Sequence, residues 1–576
     1  MPKTYSTILF LMMALAAVVW PVYFADQFFL ALWPSLLWAV AIGIASASRG
    51  WRGLLLTGLL SLLPLVAGII YFGVSHASNE SFLCAGLIPW SDAAMHFRQA
   101  AQMAVYGITQ TGMNGRFLYP AYFSSLLTMS NDNLLVAEAL SGLLFAGSLI
   151  VALRTTARFI GAVGASIVAL VCWLFFRSHC SGLIMTENLG IICGLLSLTA
   201  LLIATKRHHF WLLLLGIFML ALGLCARPGA LVVLPLLVLF AGWVGWNGWL
   251  RGPSHRMFQA LIAATLSLLV VLMAFGCNTL LARTLYEGKV ITNQNFAFTL
   301  YGMLTGGTWF DSYTWSHGDA PLVMQKSLTL IREKPELLLF GAARAYKTAL
   351  YRRTLFMFHH ESRPATLLLI MAGLGLVALW KKEELKPYAL WITLMAAGIL
   401  LSIPFAPPWD AAERPFAATL PFQGLLAGIG LFSLWHYFFA SKMRIAVNQT
   451  ETKSYTLFCT LLLAALIFFL TVPFPLLHQK FMKSPINVDA TALAGLRAGS
   501  FVVVSPEKRA NLRSRMSSFF GNYPTEAEIF SCAPGPFILG INWNSKNFDR
   551  TLLLDPVGET VSFQGWQVDK RLLPHP

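Results

Sequence analysis

Residues 187–207 read ENLGIICGLLSLTALLIATKR. A carboxylate opens the stretch, Lys206 and Arg207 close it, and nearly everything between is apolar or small. A helix needs roughly 20 such residues to cross the hydrocarbon core of a bilayer. Lys and Arg beside a span collect on its cytoplasmic side. The stretch therefore predicts a membrane span with its basic end inside and Glu187 at the outer edge.

Similar runs recur along the chain. They predict spans at about 6–24, 28–47, 53–74, 133–153, 160–176, 187–205, 210–225, 229–247, 258–280, 364–380, 388–404, 415–438 and 455–475, about 13 in all. Composition points the same way: of 576 residues 57% are apolar and 11% charged, against about 25% charged in soluble domains. So few charges cannot coat a water-soluble globule of this size. The first run begins near Lys3, but Trp20-Pro21 stands where a cleavable signal needs small residues, so it is expected to be a span.

The short loops set the orientation. Arg49 with Arg52, Arg154 with Arg158, Lys206-Arg207, Arg251 with Arg256, Lys381-Lys382 with Lys386, and Lys442 with Arg444 and Lys453 all fall on one side when spans are counted alternately. That side is expected to be the cytoplasm, with the N-terminus inside. The net charge of +16 is thereby assigned to membrane flanks and anionic lipid, and nucleic acid is not an expected partner. A basic outer loop would also suit a phosphate-bearing lipid substrate. The eight Cys show no CxxC or Cys/His spacing, so no zinc site is indicated. Cys84, Cys180 and Cys532 are those placed to face an oxidising compartment.

The expected fold is a polytopic all-α membrane protein of three parts. A transmembrane hairpin covers 1–52. A transmembrane unit covers 53–475, with long outer loops at 75–132 and 281–363. A small extracytoplasmic C-terminal domain, α/β or β, covers 481–576, with strands expected near 500–506, 551–555 and 559–563.

Polar residues gather on the outer side. Asp92 follows Pro89-Trp90-Ser91, and His96 lies one turn later on the same helix face. Asp92 reads either as a first-turn carboxylate favoured by the helix dipole or as a chemical group. Arg116 lies in Asn114-Gly115-Arg116, before Pro120, and would hold a phosphate or anchor the loop. Glu187 follows Thr186, which would cap the helix; an ionisable group at a membrane edge is otherwise a functional candidate. Arg227 sits in the turn Arg227-Pro228-Gly229, where phosphate binding and snorkelling are both open. A basic aromatic segment carries Arg344, Lys347, Arg352 and Arg353, as interfacial helices do. Asp410, Glu413 and Arg414 share one short loop, in which either carboxylate would pair with the arginine.

These residues resemble the GT-C superfamily of membrane glycosyltransferases, nearest to its protein O-mannosyltransferase and lipid A aminoarabinose transferase branches. The resemblance rests on Asp92 in the first large outer loop, Phe97 five residues on, and Gly115-Arg116-x-Leu118-Tyr119-Pro120. It also rests on Glu187 in Thr-Glu-Asn, Arg227-Pro228, and Arg414 with Phe416 and Pro421. It covers about 50–475 and departs from the family's pattern in the extra hairpin ahead of the acidic loop. It implies an inverting transfer from a polyprenyl-phosphate sugar to a lipid, glycan or protein acceptor at the outer face of a bacterial inner membrane. Asp92 would act as base and Glu187 would orient the acceptor or, with Asp92, hold a divalent metal ion. His96, Arg116, Arg227, Arg414, and Lys347 or Arg352 would serve the substrate and its phosphate. An O-antigen ligase or polymerase, a flippase of lipid-linked sugars, and a scaffold working through its C-terminal domain are the competing classes.

Overall fold

The computed structural model describes residues 28–48, 50–75, 83–84, 88–89, 91–109, 115–131, 134–180, 183–250, 255–287, 294–352, 362–381, 383–406, 413–439 and 454–481, and four short strands beyond. The run expected as a span at 6–24 lies outside these residues, as do Asn114, Asp410 and the basic stretch 442–453.

The chain is a helical, membrane-embedded protein. Helices α1 (Phe28–Ala47) and α2 (Gly50–Ser75) lead to a two-stranded turn, Leu83–Cys84 against Ile88–Pro89, and then to α3 (Ser91–Tyr106) and α4 (Leu118–Met129). Next come α5 (Leu134–His179), α6 (Glu187–Arg207), α7 (Phe210–Ala226), α8 (Val233–Trp246) and α9 (Arg256–Leu285). Four short helices, α10 (Gln294–Thr305) to α13 (Glu336–Arg352), fill the second long loop, with α11 at Trp309–Ser316 and α12 at Ala320–Glu333. Then follow α14 (Ser362–Trp380), α15 (Lys386–Ser402), a 3-10 turn at Arg414–Thr419 running into α16 (Leu420–Phe439), α17 (Ser454–Thr471) and α18 (Pro473–Phe481). The strands Val502–Val504, Phe537–Ile541, Thr551–Leu554 and Thr560–Val561 pair antiparallel in that order; the second was not among the expected ones.

Six described helical stretches are long and apolar enough to cross a membrane, and four shorter apolar helices accompany them. Their surroundings separate two roles. On α9, Leu261, Leu268, Leu272 and Met273 are exposed, a display that soluble proteins avoid and lipid accepts. The window of α6 is buried throughout, so α6 is the axis of the bundle.

Helix α5 is not one straight rod. Ile160 and Gly161 leave helical geometry, Gly161 with φ at 75°. Phe145 then stacks on Phe176 with ring centroids 3.9 Å apart, whereas 31 residues of straight helix would separate them by about 45 Å. The two halves therefore fold back on each other as a hairpin whose reversal lies at the first residues of the span expected at 160–176. Helix α1 joins this bundle: Trp38 donates from Nε1 to the Leu60 carbonyl at 2.8 Å, and its ring lies 5.5 Å from that of Trp173.

Small residues let the late 3-10 turn reach the axis. A Cβ at Gly194 would overlap the Ala418 carbonyl oxygen, and one at Gly229 would overlap that of Pro415. A Cβ at Gly223 would lie 3.1 Å from the Gly190 carbonyl and 3.1 Å from the Ala418 side chain. Small residues spaced four apart allow such backbone approach between membrane helices. Gly194→Ala is therefore expected to destabilise the full chain by about 1–3 kcal/mol, the usual range for overpacking. Gly373→Ala, in an exposed helical position with nothing within 4 Å, is expected to be neutral or stabilising. Thermal unfolding of the two purified variants in one detergent checks this; equal midpoints would contradict it.

Candidate active site

Helix direction explains why charged groups meet at one end of the bundle. Helices α3 and α6 begin there, with Asp92 and Glu187 in their first turns. Helix α7 ends there and hands over to Arg227. Carboxylates are favoured at helix N-termini and cations at C-termini. The turn that starts at Arg414 enters the same end through the Gly190–Gly194 face.

Glu187 is the centre. Its side chain is 0% exposed. Arg414 donates from Nε to Glu187 Oε1 at 2.6 Å, and Arg227 Nε lies 3.4 Å from the same oxygen. The Thr186 hydroxyl donates to Glu187 Oε2 at 3.0 Å. Thr186 is the N-cap residue of α6, yet its side chain makes no capping bond. The capping role open to Thr186 from the sequence is thus replaced by a bond to Glu187.

Arg414 also reaches outward, with Nη2 3.7 Å from Asp92 Oδ2. One guanidinium therefore spans both carboxylates, and their facing oxygens lie within roughly 9 Å of each other, given the short reach of its planar fork. The two differ in access: the Asp92 side chain is 46% exposed and Glu187 is sealed. Arg227 is buried against Glu187, so neither snorkelling nor a solvent-facing turn describes it.

Arg116 and His96 complete the group, each feeling Asp92, Glu187 and a neighbouring arginine. Arg116 is set by a clamp that sequence reasoning missed. Asn278 of α9 accepts the Phe117 N–H at 3.0 Å and donates to the Gly115 carbonyl at 2.7 Å, so the two residues flanking Arg116 are fixed. Nothing in the local sequence marks Asn278, an amide within an apolar helix, as the partner of a loop 160 residues earlier. His96 is buried, its Nδ1 has no hydrogen-bond partner among the described residues, and its ring meets that of Tyr119 edge-on at 5.7 Å. Burial pushes the imidazole down to about 4, with Asp92 pulling upward and Arg116 pushing further down. Burial likewise lowers Arg227 to about 9, with Glu187 opposing.

Six of the eight expected site residues thus come together: Asp92, His96, Arg116, Glu187, Arg227 and Arg414. Lys347 does not join them, and the side chain of Arg352 lies outside the described residues. Lys347 is exposed on α13, with no ion pair to the group among the described residues, and Arg352 is the last residue of that helix. Glu413 pairs with His179 rather than with Arg414, Oε1 to Nε2 at 2.9 Å. His179 was not singled out from sequence; its only signal is its place at the site end of α5. Cys180 beside it is buried and free.

A divalent ion held by Asp92 and Glu187 does not suit this arrangement, because Glu187 already accepts from Arg414 and Thr186 and faces Arg227. Among the described residues no group of three or more His, Cys, Asp or Glu gathers to hold a metal. Compared with known proteins, the chain matches no family model and no curated sequence.

The state of His96 generates a pH dependence. Its imidazole stands at 6.5 unfolded and about 4 folded, so between those values the unfolded chain binds a proton that the native chain refuses. Stability is complete above pH 6.5 and falls by roughly 3 kcal/mol as pH drops toward 4. Unfolding of the wild type and His96→Gln from pH 7.5 to 4.5 checks this: the variant's acid limb should be flatter, and parallel curves would contradict the assignment.

Proposed function

We propose that the chain is a membrane glycosyltransferase that moves a sugar from a polyprenyl-phosphate carrier to an acceptor hydroxyl on a lipid, glycan or protein. The observation that carries this reading is a solvent-reachable carboxylate, Asp92, on the same guanidinium that a sealed carboxylate, Glu187, holds in place. Arg116, Arg227 and Arg414 face Asp92 and Glu187, so the group keeps one positive charge over. A phosphate leaving group supplies the missing negative charge.

In this reading Asp92 takes the proton of the acceptor hydroxyl as its oxygen bonds to the anomeric carbon. The bond from that carbon to the phosphate oxygen breaks, and its electron pair stays on the phosphate. The arginines face the charge as it develops, where fixed cations lower a barrier most. Glu187 acts as the anchor that aims Arg414 and Arg227, a different role from orienting the acceptor. His96, neutral at physiological pH, lines the site without competing with the arginines for the phosphate.

The family resemblance extends the proposal to about 13 spans, the site end facing outward, the N-terminus in the cytoplasm, a small outer C-terminal domain, and residence in a bacterial inner membrane. A second reading draws on the three arginines around a single open carboxylate: a ligase that takes its glycan from a polyprenyl diphosphate. Such a reaction leans on the cations more than on Asp92.

Purified full chain reconstituted with polyprenyl-phosphate sugars tests both. Asp92→Asn is expected to melt like the wild type and to lose transfer by about 10²–10⁴-fold, the usual contribution of a positioned base. Glu187→Gln is expected to lose stability together with activity, since it leaves two arginines under-compensated. Near-full transfer by Asp92→Asn would remove Asp92 as base. Activity with the diphosphate donor alone, retained in Asp92→Asn and lost in Arg414→Gln, would select the ligase.

A further inference from the structure

The end of the bundle away from the carboxylates carries a second charged group, of one sign. Arg154 and Arg158 stand one turn apart on α5, ahead of its reversal at Ile160–Gly161. Lys206 and Arg207 close α6 beside them, and Arg158 lies near enough to act electrostatically on both Arg154 and Lys206. Arg158 donates from Nη1 to Thr456 Oγ1 of α17 at 2.9 Å, which ties the group to a third element. Among the described residues no carboxylate pairs with Arg154, Arg158 or Lys206.

Arg154 decides the reading. A snorkelling arginine carries its guanidinium out to water. Arg154 is only 8% exposed, and among the described residues its Nη1 has no hydrogen-bond partner. From Arg154 outward, exposure rises through the half-buried Arg158 and Lys206 to the exposed Arg207. A buried guanidinium under two more cations is unfavourable unless an anion completes it. The depth of the group points to where that anion comes from. Exposed aromatics Trp211 and Phe458 lie within a few residues of the end of α6 and the start of α17, and aromatic side chains gather at the headgroup level of a bilayer.

We propose that Arg154, Arg158 and Lys206 form a binding site for the phosphodiester of an anionic phospholipid headgroup, seated among the reversal of α5, the C-terminus of α6 and the N-terminus of α17. Basic recesses between membrane helices bind anionic headgroups in this way, and a guanidinium meets phosphate oxygens with two parallel donors. The site is independent of the transfer chemistry at the other end and stands whether or not that reading holds.

The test compares phosphatidylglycerol with phosphatidylcholine on purified full chain in one detergent, by native mass spectrometry and by thermal unfolding. The expected result is that phosphatidylglycerol is retained at energies that strip phosphatidylcholine, and raises the melting midpoint by several degrees. Arg154→Gln and the double variant Arg158→Gln/Lys206→Gln are each expected to weaken phosphatidylglycerol binding about tenfold or more. If Arg154→Gln does not fold, the double variant, altered only at half-buried positions, decides. Equal binding of the two lipids by the wild type, or an undiminished preference in the double variant, would overturn the site. Inorganic phosphate reproducing the whole midpoint shift would assign the group to a soluble anion and overturn the headgroup.

Discussion

A sealed carboxylate between two guanidiniums is the constraint on which the rest of this structure depends. Glu187 has lost its water entirely, and Arg414 and Arg227 take the place of its solvent. Removing one partner of such a buried pair typically costs about 3–5 kcal/mol, because the remaining charge stays stranded. The three side chains come from the start of α6, the end of α7 and the 3-10 turn before α16. Their electrostatics therefore bind together segments more than 200 residues apart in sequence.

The backbone is shaped to allow this. Without Cβ atoms at Gly194 and Gly229, the turn beginning at Arg414 can approach α6 and the loop after α7 at backbone distance. The Asn278 clamp performs a similar service for Arg116 from α9. Asp92 is held more loosely: it is half-exposed, touches the group through a 3.7 Å ion pair and rides on a short loop helix. The contrast separates two kinds of work. Glu187 is buried as the anchor of the group, whereas Asp92 stays open to solvent at its edge.

Much of this was legible in the sequence because membranes impose strong rules. Apolar runs of span length locate the long helices, though the turn at Ile160–Gly161 falls at the first residues of an expected span rather than before it. Charged residues beside such runs are rare enough that Asp92, Glu187, Arg227 and Arg414 stood out, and all four converge. What the sequence could not express was partner choice. Glu413 adjoins Arg414, yet it turns to His179, while Arg414 takes a carboxylate 227 residues away. Lys347 looks equally suited to a phosphate, but basic aromatic helices arise from interfacial chemistry as readily as from a site. Asn278 was invisible because a single amide in an apolar helix has no periodic signature. Access was hidden too: Asp92 and Glu187 are both first-turn carboxylates, and only packing makes one open and the other sealed.

In the proposed reaction Arg414, aimed by Glu187, receives a lipid phosphate beside Asp92. A structure of the full chain with a bound polyprenyl monophosphate tests it most directly. Phosphate oxygens are expected within hydrogen-bond reach of Arg414 and at least one of Arg227 and Arg116, with the Asp92 carboxylate on the facing side. A phosphate seated on Lys347 or elsewhere on α13, with the Glu187–Arg414 pair untouched, would contradict it.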